Sequence, residues 1–155
     1  MRGTLKFLGM ALGLAACTTV TGPSVGPAAG DAPAGAQQAF FQGYPERLFF
    51  AAGEVCDGPG QSVVRPTADE VRCESLPDPE SAAAIILQFD GTIEDLPQLV
   101  VSFIGRETTQ GYLVTADNYI RVPQRDGGIR QVRFPSAQVD RDLAELLTAA
   151  GGRPL

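Results

Sequence analysis

Three sets of side chains in this chain are of types that do chemistry: the cysteines Cys17, Cys56 and Cys73, the carboxylates Asp90, Glu94 and Asp95, and the arginines Arg121, Arg125, Arg130 and Arg133. What is missing narrows the possibilities faster than what is present. There is no His, so the usual general base and the commonest transition-metal ligand are both absent. The only Lys is Lys6, which leaves no Schiff-base lysine and no Ser-Lys dyad beyond the extreme N-terminus. None of Ser24, Ser62, Ser75, Ser81, Ser102 and Ser136 sits in a Gly-x-Ser-x-Gly elbow, and neither a P-loop nor a dinucleotide fingerprint occurs. A zinc site would have to combine Cys56 and Cys73 with two carboxylates, a poor structural set. Paired carboxylates are the one chemistry left. The stretch DGTIED places Asp90, Glu94 and Asp95 close together, as calcium binding or glycoside cleavage would require. It fails the calcium-loop spacing, and Asp90-Gly91 reads as a turn flanked by solvated acids. The expectation is a protein that is not an enzyme and needs no metal or cofactor.

The four arginines gather around one predicted hairpin. In a functional reading they recognise an anionic partner: lipid headgroups, wall polymer or an acidic protein surface. In the plainer reading they solvate a strand end and its turn. Arg130 and Arg133 have opposite parity and cannot share one strand face. Twelve basic residues against eighteen acidic ones, a net charge of −6 over 155 residues, argue against a nucleic-acid partner.

The N-terminal residues MRGTLKFLGMALGLAA carry Arg2 and Lys6, then an apolar run from Phe7 to Ala16 that ends in small residues. That is the layout of a secretory signal, too short to hold a helix across a bilayer core of about 30 Å. No twin-Arg pair is present, which favours the general secretion route. The run closes on Leu14-Ala15-Ala16-Cys17. Here the chain resembles the bacterial lipoproteins, whose lipobox is Leu, two small residues and Cys. The resemblance covers about the first seventeen positions. It implies cleavage before Cys17, a diacylglyceryl thioether on its sulfur and, in many bacteria, an acyl group such as palmitate on the new amine. Two or three chains on one residue hold where a single chain is marginal. Thr18 follows the Cys where Asp would favour inner-membrane retention, so the resemblance implies the outer membrane, periplasmic side.

Residues 1–16 are therefore read as the signal peptide and residues 17–38 as the lipidated Cys with its tether. The stretch TTVTGPSVGPAAGDAPAGAQQ carries a single charge, Asp31, and too little apolar surface to offset the entropy of ordering. As a coil it spans roughly 25 Å. Residues 39–155 are read as one periplasmic domain, long enough for an independent core. Pro45 and the spacing of Leu48, Ala52, Val55 and Cys56 predict a helix that Gly58 ends, with Phe49 and Phe50 widening its apolar face. Phe40, Phe41 and Tyr44 either extend that helix or staple its entry. Residues 62–66 and 70–75 alternate as strands, with Val71 and Cys73 on one side and Arg72 and Glu74 on the other. Pro77-Asp78-Pro79 reads as a break. The run 83–89, AAIILQF, fits a buried strand or a short helix, and its Ile pair favours strand. Residues 99–105, 112–122 and 129–134 form an antiparallel meander. Ser136 then caps a helix through Val139, Leu143, Leu146, Leu147 and Ala150, ended by Gly151 and Gly152. The expected fold is α+β: an antiparallel sheet of five or six strands with an N-terminal and a C-terminal helix packed on one face.

With Cys17 assigned to lipid, Cys56 and Cys73 remain as an even pair in an oxidising compartment. A disulfide there pins helix to sheet, and closing a loop of about eighteen residues contributes about 3 kcal/mol by chain entropy. A redox pair and two free thiols are the alternatives, the first disfavoured by a spacing far from Cys-x-x-Cys. Together these features describe a lipid-anchored envelope protein that acts as an interaction or structural module. Its partners are the membrane, through its anchor, and an envelope protein or wall polymer. The second reading is a binder of an apolar or amphiphilic ligand in a cavity between sheet and helices, lined by Phe49, Phe50, Phe89, Phe103, Leu143 and Leu147.

Overall fold

The computed structural model describes residues 32–155; the signal peptide and Cys17 lie outside the described residues. In chain order the elements are β1 (Gln37–Phe41), α1 (Glu46–Glu54), β2 (Gln61–Thr67), β3 (Glu70–Ser75), α2 (Pro79–Phe89), β4 (Gln98–Thr108), β5 (Gly111–Pro123), β6 (Ile129–Val132), α3 (Ala137–Ala149) and β7 (Arg153–Pro154). The strands form one antiparallel sheet in the order β2-β3-β4-β5-β1-β7, with β6 also on β5. The fold class is α+β, as expected.

Its centre is the long β4–β5 hairpin, closed by a tight turn in which Thr108 Oγ1 donates to Gly111 O at 2.9 Å. Gly111 is required there. Its φ is +144°, and a Cβ would stand 2.3 Å from the Phe41 carbonyl oxygen of the adjoining strand. The outer edge of β5 is shared: Tyr112–Ala116 pair with β1, and Ile120–Pro123 pair with β6. Between those ladders Asp117, Asn118 and Tyr119 have no strand partner on that edge. Register puts Ala39, Phe41, Val71, Phe103, Val114 and Ala116 on one face, where they bury against Leu48, Phe49 and Ala52 of α1 and Leu143 and Leu147 of α3. Each large apolar side chain fully buried there contributes about 1.5–3 kcal/mol.

Several elements differ from expectation. Among the described residues there are seven strands in the sheet and three helices, and the first and last elements are strands. β1 precedes α1 and takes in Gln37 and Gln38, two residues assigned to the tether. Ala39 and Phe41 alternate with Phe40 across its two faces, so the Phe pair neither extends nor staples the helix. Tyr44, the residue before the Pro45 cap, does staple the entry, stacking at 5.5 Å on Phe49 in the first turns of α1 and meeting Tyr112 edge-on at 5.4 Å. Residues 83–89 are helical, within α2. The reason is local. Asp78 is the N-cap, accepting from the Glu80 and Ser81 amides at 3.1 and 3.0 Å, and Pro79 takes the first helical position with its φ already set. Asp90 closes the helix in the left-handed region, φ 56°. What resembles a break in sequence is a helix start. At the other end Ser136 caps α3 through the Val139 amide, and Gly151, at φ +93°, turns the chain into β7 beside β1.

Candidate functional site

The two predicted disulfide partners meet. Cys56, just past the end of α1, is bonded to Cys73 of β3, with a Cα separation of 5.6 Å. Cys73 shares the helical face with Val71, so the bond ties α1 to the sheet.

The arginines are divided between the two faces. Arg121 donates from Nε and Nη2 to Gln98 Oε1 at 3.1 and 2.9 Å and lies 3.8 Å from Asp95. Arg133, on the same helix-free face, donates from Nε to both Asp117 oxygens at 3.1 Å and from Nη2 to Gln131. Its guanidinium lies 5.3 Å over the Tyr119 ring. The Asp117 hydrogen bond is the main cause of an Arg133 pKa raised above its ordinary value. Arg130 projects from the helical face and stacks 5.2 Å over Phe89. Arg125 stands exposed in the β5–β6 turn, where it and Arg121 line a recess with Glu94 and Asp95. The structure thus brings Arg121 and Arg125 together among opposite charges and separates Arg130 from Arg133.

On the helix-free face the register sets Arg72, Ser102 and Asp117 in one row across β3, β4 and β5, with Arg133 beyond. Arg72 is flanked by Glu70 at 3.3 Å and Glu74 at 3.5 Å. Its Nε meets Glu70 within ion-pair distance but not in hydrogen-bond geometry. Ser102, 1% exposed, has no hydrogen-bond partner for its hydroxyl. The Asp117 oxygens beside it are held by Arg133, so the row contains no activated serine. Burial pushes the Tyr119 phenol up, and Arg72 pulls it partly back. On this face Asp117 is neutralised by Arg133 and Arg72 by its flanking glutamates, while Arg106 stands exposed.

The acids of DGTIED do not converge. Asp90 is the α2 C-cap, Glu94 is held by the Thr92 hydroxyl, and Asp95 faces Arg121. Among the described residues no group of three His, Cys, Asp or Glu side chains could hold a metal ion.

The feature that composition did not reveal is α2. Of its eleven residues only Ala82 is buried. Leu87 is 83% exposed, and Ile93 in the following loop is 79% exposed. Leu76, Leu99 and Phe134 are also partly exposed, where the helix faces the sheet. A recess of about 470 Å³ separates the helix from the sheet, walled by Leu76, Ser81, Ala84, Ile85, Leu99 and Phe134. Phe134 meets Phe89 edge-on at 6.2 Å and also lines a second recess, of about 340 Å³, with Ala34, Gly35 and Val139. The side chains expected to line a cavity under the helices are placed otherwise. Phe49, Phe103, Leu143 and Leu147 belong to the packed core, Phe50 is 65% exposed, and Phe89 lies against Phe134 and Arg130. A sequence signal for α2 did exist in the cap-and-proline pair Asp78-Pro79.

Among the described residues no helix is long and apolar enough to cross a membrane. No family model matches the chain, and comparison with curated proteins and with solved structures finds no significant match.

Proposed function

We propose that this chain is a lipid-tethered, non-enzymatic docking module of the bacterial cell envelope, held through Cys17 at the outer membrane and facing the periplasm. The observation that carries the docking role is the apolar surface of α2 and its flanks. Apolar side chains left this open on one helix and the loop after it mark an interaction surface, whereas on the opposite face Asp117 is paired with Arg133, and Arg72 with Glu70 and Glu74. The tether rests on the lipobox Leu14-Ala15-Ala16-Cys17. The pairing of Cys56 with Cys73 supports it, because Cys17 is then the one cysteine left for lipid.

Two measurements in cells test the proposal. Labelled palmitate is expected to enter the wild-type chain and not Cys17→Ser, and globomycin is expected to leave the precursor uncleaved; an unlabelled wild type overturns the tether. A photocrosslinking residue at Leu87 is expected to form adducts that the same residue at Arg106, exposed on the helix-free face, does not. Equal or absent adducts at both positions overturn the docking role.

A further inference from the structure

We infer that α2 and the loop after it lie against the surface of the bilayer that holds the Cys17 anchor, with Leu87 and Ile93 entering the headgroup–acyl boundary. The inference rests on the tether just proposed and names what the α2 surface docks on.

The first argument is position. The chain enters the domain through Ala34 and Gly35, which line a recess with Phe134, and Phe134 also walls the recess beneath α2. The tether therefore leaves the domain beside the apolar surface. From Cys17 to Ala34 the chain spans about 23 Å as a coil and about 60 Å at full stretch. The α2 surface can reach the membrane with the domain intact.

The second argument is chemistry. Leu87 and Ile93 stand out from the domain, and nothing in the described chain covers them. Arg130 lies along Phe89 at 5.2 Å, an amphipathic pair with an apolar body and a cationic tip that suits headgroup depth. Acids also stand near: Glu80 in the first turn of α2, Asp90 at its end, and Glu94, Asp95 and Asp126 in the loops beside it. The contact is accordingly apolar, and its strength depends little on anionic lipid. Leu87 and Ile93 alone are too few to hold a free protein on a bilayer. A tethered one needs far less, because a short linker raises the effective local concentration to the millimolar range.

The chain has no Trp, so one introduced Trp reports its own surroundings. Full-length lipidated Leu87→Trp is reconstituted into vesicles of phosphatidylethanolamine and phosphatidylglycerol with brominated acyl chains. Its emission is expected to shift to the blue and to be quenched roughly twofold or more, as an interfacial side chain requires. Phe50→Trp, on the exposed side of α1, is expected to stay unquenched, and Leu87→Trp/Ile93→Asp to return towards the unquenched signal while still floating with the vesicles. Protein that floats while Leu87→Trp is quenched no more than Phe50→Trp overturns the docking inference and leaves the anchor standing. The same holds if the Leu87 photocrosslink captures a protein and no lipid. Protein that fails to float overturns anchor and docking together.

Discussion

Removing the Arg133 guanidinium should open the sheet at its weakest edge. Between the β1 and β6 ladders, Asp117 to Tyr119 of β5 lack a strand partner, and Arg133 bridges that gap by binding both carboxylate oxygens of Asp117. In Arg133→Ala, Asp117, 5% exposed in the intact domain, would lose its counter-charge, and Tyr119 would lose its cationic cover. Breaking a fully buried pair this way costs about 3–5 kcal/mol. Here the Arg133 side chain is 26% exposed, so water enters where the guanidinium stood and screens the orphaned charge. The expected loss is therefore about 2 kcal/mol, with a melting temperature lower by about 8 °C for a domain of this size. Urea unfolding followed by far-ultraviolet circular dichroism measures it. The double variant Arg133→Ala/Asp117→Asn separates charge from packing, since an unpaired amide costs less than an unpaired carboxylate. It should recover about half of the loss. A single variant within about 0.5 kcal/mol of wild type, the range of an ordinary surface substitution, or a double variant no better than the single, refutes the reasoning.

Replacing Cys56 and Cys73 together with Ser should lower stability by about 3 kcal/mol through the lost loop closure, and reductant should then leave the variant's denaturation midpoint unchanged. A midpoint equal to that of the oxidised wild type would show that the bond contributes nothing. Ser102→Ala should be neutral or slightly stabilising, because it removes a buried hydroxyl that makes no hydrogen bond; a loss above about 1 kcal/mol in urea would reveal a polar partner for that group. The α2 cap should weaken in acid. Hydrogen bonds from Ser81, side chain and then backbone, hold the Asp78 carboxyl below its ordinary 3.8. A depressed folded value stabilises above the unfolded value and is lost as pH falls through the folded one. Protection factors at Glu80 and Ser81, the exchange rates corrected for the intrinsic pH dependence, should fall over that range in wild type and not in Asp78→Asn, and protection that stays constant in wild type would contradict the assignment.

Which parts of the molecule were legible follows from which signals are local. Alternation exposed β3 through β6, because Val71 and Cys73 face the core while Arg72 and Glu74 do not. Ser136 and the spacing of Leu143 and Leu147 exposed α3. The same method fails on α2. AAIILQF has no polar stripe, since the helix neither buries one side nor solvates the other in the usual way, and periodicity carries no information where amphipathicity is absent. Phe50 misled for a related reason: it resembles a core residue and is mostly exposed. β1 and β7 are short and take their strand form from neighbours far along the chain, Gln37 from Ala116 and Arg153 from Phe40. The Arg133–Asp117 bridge likewise needs the β5–β6 register before the two can be placed on one face. The disulfide was legible because counting and compartment suffice for a pair; the lipobox cysteine lies beyond the described residues.

The way the tether joins the domain bears on how the module would work under load. The proposed tether enters β1 through a turn at Ala34-Gly35, and β1 is an interior strand: it pairs with β5 along five residues and with β7 on its other side. Leu155 extends that second contact by donating to Gln38 O at 3.1 Å. A pull from the membrane would therefore act along ladders on both flanks of β1, in shear, instead of peeling an edge strand bond by bond. β2, at the far edge, is largely exposed and carries Pro66, so it would peel readily if an anchor were attached there. The proposed attachment would act on a strand held along both sides. An anchor attached there, as proposed, would also lie on the side on which Phe134 and α2 leave apolar surface open. A membrane contact and a membrane tether on the same side reinforce each other; on opposite sides each would work against the other.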